Sequence, residues 1–114
     1  MVSNSSEFAV LITTEAERNL TTAFEYIYQR SQQNAVKWLQ GAYEKIGALE
    51  LFPNRYGPAR EQEYLPNQNL QQVTYKSHRI IFEIDDDRLI VRVLYVRHGK
   101  MRAIGEATRE DDEA

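Results

Sequence analysis

Basic side chains are concentrated toward the C-terminal end of the chain, where their placement suits recognition of an anionic partner. Residues 75–100 read as two long strands, rich in β-branched side chains and joined by an acidic turn. All four acids of this stretch lie at the turn, which leaves cations at the opposite end. A stiff sheet with cations at one end is a platform for a polyanionic or acidic partner. The basic residues between positions 76 and 102 are Lys76, Arg79, Arg88, Arg92, Arg97, Lys100 and Arg102.

The residue types offer little for metal or thiol chemistry. The chain has no cysteine, which excludes disulfides and thiolate nucleophiles. His78 and His98 have no close set of further ligands beside them. The run Asp85–Asp87 lacks the glycine and the downstream glutamate of a calcium-binding EF-hand loop, so it is predicted to be a turn. We therefore expect neither a metal nor a cofactor.

The charge is segregated along the chain. The net charge is -3, but residues 1–75 hold six basic and eight acidic groups, whereas residues 76–102 hold seven and four. The end from Ala103 holds one basic and five acidic groups. We expect residues 1–105 to form one domain and residues 106–114 to be an acidic, disordered tail. No apolar run approaches the ~20 residues of a membrane span, and no secretory signal is visible, so a cytoplasmic location is expected.

Two helices are predicted after a short first strand. The apolar run Phe8–Thr13 suits a strand, and Thr14 offers a hydroxyl to cap the first helix. Apolar residues then recur at helical spacing up to Tyr28, and a second amphipathic stripe precedes Pro53. The short polar link between the stripes predicts an antiparallel helix hairpin. Trp38 and Tyr43 on the second helix are expected in the core, the alternative being a position that faces a partner.

Three strands are predicted after a proline-rich surface connection over residues 53–69. They cover Leu70–Tyr75, Arg79–Ile84 and Arg88–Arg97. A two-residue turn at Asp86 and Asp87 pairs Ile84 with Leu89 and gives the hairpin one apolar face against the helices. In this register the opposite face presents Arg79, Ile81, Arg92, Leu94 and Val96. The expected fold is α+β, with an N-terminal strand, a helix hairpin and three antiparallel strands in one sheet that carries the helices on one face.

Three sequence segments carry a resemblance to a known family. They are YKSHR followed by IIFEI (residues 75–84), RVLYVRHG (residues 92–99) and PNRYGP (residues 53–58). Their order and spacing resemble the RelE/ParE superfamily, the toxins of bacterial type II toxin–antitoxin modules. The resemblance covers roughly residues 8–102.

The resemblance implies two alternative activities. RelE-like members cleave mRNA on the ribosome without a metal, through attack by the 2′-hydroxyl, charge stabilisation by cations and proton donation to the leaving oxygen. Arg79, His98, Lys100 and Arg102 would be the catalytic residues here. The chain departs from that pattern because no tyrosine follows Arg102 and the preceding strand is poor in lysine.

ParE-like members inhibit DNA gyrase by protein–protein contact, and the ending VRHG resembles that branch more closely. Lys76, Arg92 and Arg97 would then serve partner binding. The resemblance also implies a cognate antitoxin, and it leaves open a homodimer, a toxin–antitoxin hetero-oligomer and an inactive relative that only binds its antitoxin.

Overall fold

A four-stranded sheet with two helices on one face forms the frame of the molecule. The computed structural model describes residues 7–106. The elements are β1 (Ala9–Ile12), α1 (Thr14–Tyr28), α2 (Gln32–Gly47), β2 (Leu70–Tyr75), β3 (His78–Asp85) and β4 (Ile90–His98). The strand order is β1-β4-β3-β2, with β1 parallel to β4 and the other pairs antiparallel. The α+β fold expected from the sequence is confirmed, whereas residues 107–114 of the predicted tail lie outside the described residues.

Hydroxyl side chains cap both helices. The Thr13 hydroxyl accepts a hydrogen bond from the Ala16 amide at 3.2 Å, so the cap lies one residue before the predicted Thr14. The Ser31 hydroxyl does the same for the Asn34 amide at 3.1 Å. Each bond satisfies an amide that has no partner within its helix.

The inward faces of the helices pack on the sheet. Trp38 is buried as predicted, but Tyr43 is 44% exposed, so its expected core position is wrong. Gly41 allows α2 to approach β2, because a Cβ atom there would lie 2.1 Å from the Tyr75 hydroxyl. That hydroxyl donates a hydrogen bond to the Trp38 carbonyl at 2.8 Å, which ties the sheet to α2.

The hairpin register differs from the predicted one. Ile84 pairs with Val91 rather than Leu89, so residues 86–89 form the connection, and Leu89 adopts a positive φ of 56°. A two-residue shift keeps the same side chains facing the helices. The predicted core face of Ile80, Phe82 and Ile84 is therefore correct even though the turn is wrong.

A β-bulge in β4 changes the faces of the residues that follow it. Phe82 pairs with Val93 and Ile81 with Tyr95, which leaves Leu94 as the extra residue. As a result Val96 lies in the core against the helices, whereas it was predicted on the opposite face. Tyr95 packs on that opposite face instead.

Side chains at the start of α1 hold the bulge in place. The Thr13 hydroxyl donates to the Val93 carbonyl at 2.9 Å, and Asn19 Oδ1 accepts the Val96 amide at 2.9 Å. The bulge interrupts the ladder at this point, so the amide of Val96 depends on Asn19 for its hydrogen bond.

Replacing Asn19 with Ala is expected to cost about 1–3 kcal/mol of unfolding free energy, because it leaves a buried amide without a partner. Urea unfolding measures the loss, and faster hydrogen exchange at the Val96 amide would locate it. Asn34→Ala, at an exposed position on α2, is the matched control. Equal stability of the two variants would contradict the assigned role of Asn19.

The opposite face of the sheet is covered rather than open. Ala59, Leu70 and Ile81 form a second buried cluster, with Leu65 and Tyr95 packed against it. Residues 53–69 were predicted to be a surface connection, but they fold into short 3-10 turns at Pro53–Arg55 and Arg60–Glu63. The Ala59 amide bonds the Leu70 carbonyl at 3.0 Å, which fastens the connection to the edge of β2. The connection is therefore a second layer of the fold.

Candidate functional site

Arg79, the first of the predicted catalytic residues, is buried. Only 5% of Arg79 is exposed, although the sequence placed it on an outward face. Its Nη1 and Nη2 atoms donate to the two carboxylate oxygens of Glu61, each at 2.9 Å, and Nη1 also reaches Gln72 Oε1 at 2.8 Å. The expectation that this guanidinium points at a ligand is therefore wrong, because its Nη atoms are used within the fold.

Glu61 is the partner that the sequence did not reveal. It is fully buried in the short turn Arg60–Glu63. Burial by itself raises the pKa of the Glu61 carboxyl, but hydrogen bonds from Arg79 and the Ile104 amide, with the charge of Arg79, outweigh burial and lower the pKa. The Ile104 amide donates to Glu61 Oε2 at 3.1 Å. The buried pair thus anchors the segment that follows β4.

Two more arginines hold the same C-terminal segment through its carbonyls. Arg60 Nη2 donates to the carbonyls of Gly99 and Met101 at 2.8 and 3.1 Å. Arg97 Nη2 donates to the Arg102 carbonyl at 2.8 Å. One Nη atom of each guanidinium therefore helps to position residues 99–102.

The remaining predicted site residues fall into two places. Arg92 is half-buried and lies 3.5 Å from Glu83 across the hairpin, away from the other cations. The exposed end of the sheet opposite the acidic turn carries Lys76, Lys100 and Arg102. Lys76 lies in the turn between β2 and β3, and the other two follow β4. We call this end, formed by Lys76, Arg97, His98, Lys100 and Arg102, the cationic end.

A cavity of about 580 Å³ opens beside the cationic end, between α1, α2 and the sheet. Lys76, Arg97 and His98 line it, together with His78. His78 and His98 pair directly across β3 and β4, with ring centroids 5.3 Å apart, and Trp38 lies edge-on to His78 at 5.1 Å. No functional role for His78 was expected from the sequence, because the side chains that surround it come from other parts of the chain.

The described residues hold no group of three or more His, Asp or Glu side chains arranged to bind a metal ion. No helix among residues 7–106 has the length and apolar character needed to cross a membrane.

Comparison with known families identifies the chain. The model of the ParE toxin of the type II toxin–antitoxin system parDE matches residues 10–103. The chain belongs to the ParE toxin family. The resemblance inferred from the sequence is thereby confirmed. No curated protein matches the chain.

Solved structures share the fold of this ParE-family toxin. A chain from the chromosomal ParDE toxin–antitoxin system of P. aeruginosa superposes with a TM-score of 0.66 at 17% identity, covering 84% of this chain and 98% of that one. A chain of the toxin–antitoxin complex RelBE2 from Mycobacterium tuberculosis gives a TM-score of 0.58 at 24% identity, covering 81% and 91%. The fold described above is therefore shared with one chain of each of these two toxin–antitoxin systems.

The pKa of His78 is expected to make this ParE-family toxin less stable in mild acid. Burial first, and then the nearby His98, lower the pKa of His78 from its ordinary value of 6.5. The unfolded chain therefore takes up a proton at a higher pH than the folded chain does. The stability contributed by neutral His78 is complete above pH 6.5 and is lost as the pH falls toward the folded pKa.

Two measurements check this prediction. Thermal unfolding of His78→Gln should depend less on pH than unfolding of the parent between pH 7 and pH 5. An NMR titration of the imidazole protons should give a His78 pKa below 6.5, which rises toward the ordinary value in His98→Gln. A His78 ring that titrates at or above its ordinary pKa would contradict the prediction.

Proposed function

We propose that this ParE-family toxin inhibits DNA gyrase by protein–protein contact and is neutralised by a cognate antitoxin in the cytoplasm. The observation that carries the choice is the buried ion pair of Arg79 and Glu61. The arginine that RelE-like chemistry would place on the scissile phosphate is already bound to a carboxylate. The family match at residues 10–103 supports the same choice.

The ribonuclease alternative requires Arg79 to leave its partner. Cleavage of a phosphodiester requires hydrogen-bond donors that already point at the negative charge developing in the transition state. Moving the guanidinium toward RNA would leave the Glu61 carboxylate buried and unpaired, which costs several kcal/mol. His98, Lys100 and Arg102 remain near the surface, but without Arg79 they are only part of the group of residues that RNA cleavage would require. Inhibition of gyrase by protein–protein contact does not require that group.

The antitoxin is proposed to add a strand at β1. β1 is an edge of the sheet, and Leu11 on it is 49% exposed. The connection bridges the other edge within β2, between Pro58 and Gln71, whereas the bridge beside β1, between Glu7 and Leu51, lies before the first residue of that strand. Main-chain pairing with an open edge and burial of an exposed apolar side chain are the two components of strand addition.

Two assays distinguish the candidate activities. Purified toxin should inhibit supercoiling by purified gyrase, and premixing it with the protein encoded by the adjacent reading frame should abolish that inhibition. Ribosome-dependent mRNA cleavage without any effect on gyrase would overturn the proposal in favour of the ribonuclease. If expression of the chain alone neither arrests growth nor affects either target, the chain is a relative that only binds its antitoxin.

A further inference from the structure

The cavity beside the cationic end has the size and walls of a small-molecule site. Its volume of about 580 Å³ lies within the range of about 300–1,000 Å³ typical of such sites. Ala23 and Ile27 of α1, Trp38 of α2, Val96 of β4 and Met101 form its apolar walls. These walls come from separate elements that pack on one sheet, so the packing of the helices on the sheet forms the cavity.

The charged side chains of the lining are cationic. Lys76 and Arg97 contribute their side chains, and the imidazoles of His78 and His98 lie beside them. None of the described residues that line the cavity is acidic. The ion pairs of the described residues involve neither Lys76 nor Arg97, so these two charges have no carboxylate partner.

Hydrogen-bond donors and acceptors at this cavity are left unused by the fold. Buried side-chain nitrogens without a partner in the described part of the chain are His78 Nδ1, Arg97 Nε and Arg79 Nε, and the first two belong to residues that line the cavity. His98 Nδ1 accepts the Lys100 amide at 3.1 Å, which leaves Nε2 as the N–H donor of the neutral ring. Buried polar groups are costly to leave unpaired, so the His78 and Arg97 side chains would gain a hydrogen bond by turning these nitrogens toward a ligand.

We propose that the cavity binds a small organic anion that consists of a planar aromatic body and a carboxylate or phosphate group. The aromatic body would lie against Trp38 and the aliphatic walls, and the anion would face Lys76 and Arg97. A single concave cavity fits such a ligand better than an extended peptide, which is usually held by several anchors along a groove. This site is separate from the proposed gyrase inhibition, because ligand binding to the isolated toxin requires neither gyrase nor antitoxin.

Three naphthalene probes test the proposal on the full chain by NMR titration. 2-Naphthoate and 2-naphthyl phosphate carry the two candidate anions, and 2-naphthamide is the uncharged counterpart of the carboxylate. Trp38 is the only tryptophan of the chain, so its indole N–H reports on the cavity directly. We expect saturable binding of at least one anion with a dissociation constant at or below about 1 mM, and roughly tenfold weaker binding of 2-naphthamide. The anion that binds more tightly shows whether the site prefers a carboxylate or a phosphate group.

Matched variants separate binding in the cavity from attraction to the cationic end as a whole. Lys76→Gln should weaken anion binding, whereas Lys100→Gln removes the same charge from a residue outside the cavity lining and should leave binding nearly unchanged. Ala23→Phe should block all three probes by filling the cavity without changing the charge.

Two results would overturn the proposal. One is the absence of any saturable shift at Trp38 with both anions. The other is binding of 2-naphthamide as tight as that of the more tightly bound anion, which would indicate an apolar pocket that does not select charge, as expected where a side chain of a protein partner is the occupant.

Discussion

Glu61→Gln should lower the free energy of unfolding by about 3–5 kcal/mol, a large fraction of the stability of a small domain. Glu61 is 0% exposed and Arg79 5% exposed, so the substitution leaves the guanidinium charge buried without its counter-ion. It also weakens the acceptor for the Ile104 amide, which releases the segment after β4. Urea unfolding measures the loss, and hydrogen exchange at Ile104 reports the release.

The dependence of the unfolding free energy on pH in acid provides a second test of the ion pair of Glu61 with Arg79. The folded pKa of Glu61 is lower than its ordinary value of 4.5. Its contribution to stability is therefore complete above pH 4.5 and is lost as the pH falls through the folded pKa. Glu61→Gln should flatten the stability profile over that interval.

Two further variants show whether burial of the ion pair causes the large loss of stability expected in Glu61→Gln. Arg18→Gln breaks the exposed pair of Arg18 with Glu15 on α1 and should cost no more than about 0.5 kcal/mol. The double variant Glu61→Leu with Arg79→Met should recover much of the lost stability, since apolar side chains of similar size can replace a buried pair. A loss in Glu61→Gln as small as that in Arg18→Gln would contradict the assigned energetics.

The sequence predicted the frame of the fold because the frame depends on local periodicity. Alternation along β3 placed Ile80, Phe82 and Ile84 on the core face, and that assignment survives a hairpin register shifted by two residues. A two-residue shift preserves the faces, so the pattern cannot distinguish the two registers. Similarly, the helical stripes indicated both helices to within a few residues.

The features that the sequence did not predict depend on contacts between residues far apart in the chain. The bulge at Leu94 is held by Thr13, the N-cap of α1, and by Asn19 within α1, and nothing within β4 itself signals an extra residue. Glu61 is separated from Arg79 by 18 residues, and a glutamate in a proline-rich link looks like any solvated acid. The cavity likewise depends on α1, α2, the turn between β2 and β3 and the end of β4 meeting at one place. For this reason the sequence placed Lys76, Lys100 and Arg102 correctly at one end of the sheet but misjudged Arg79.

Ile81→Ala should cost about 2–5 kcal/mol of unfolding free energy, because Ile81 is 0% exposed beneath the connection. The sequence placed Ile81 on an open face of the sheet, where truncation would change stability by only about 0.5 kcal/mol. In the structure Ile81 packs with Ala59 and Leu70, so the substitution leaves a cavity between the sheet and the second layer. The magnitude of the loss therefore tests directly whether residues 53–69 form a packed layer.

Leu11→Ala is the comparison for this measurement, because Leu11 is an apolar strand residue that is 49% exposed. Its loss should stay near 0.5 kcal/mol, since truncating an exposed side chain creates no cavity. Chemical denaturation of both variants under one set of conditions gives the difference. Hydrogen exchange at the Ala59 amide, which bonds the Leu70 carbonyl, should accelerate only in Ile81→Ala. If the two substitutions cost the same, the connection does not pack on the sheet, and the burial of Arg79 beneath it would have to be abandoned as well.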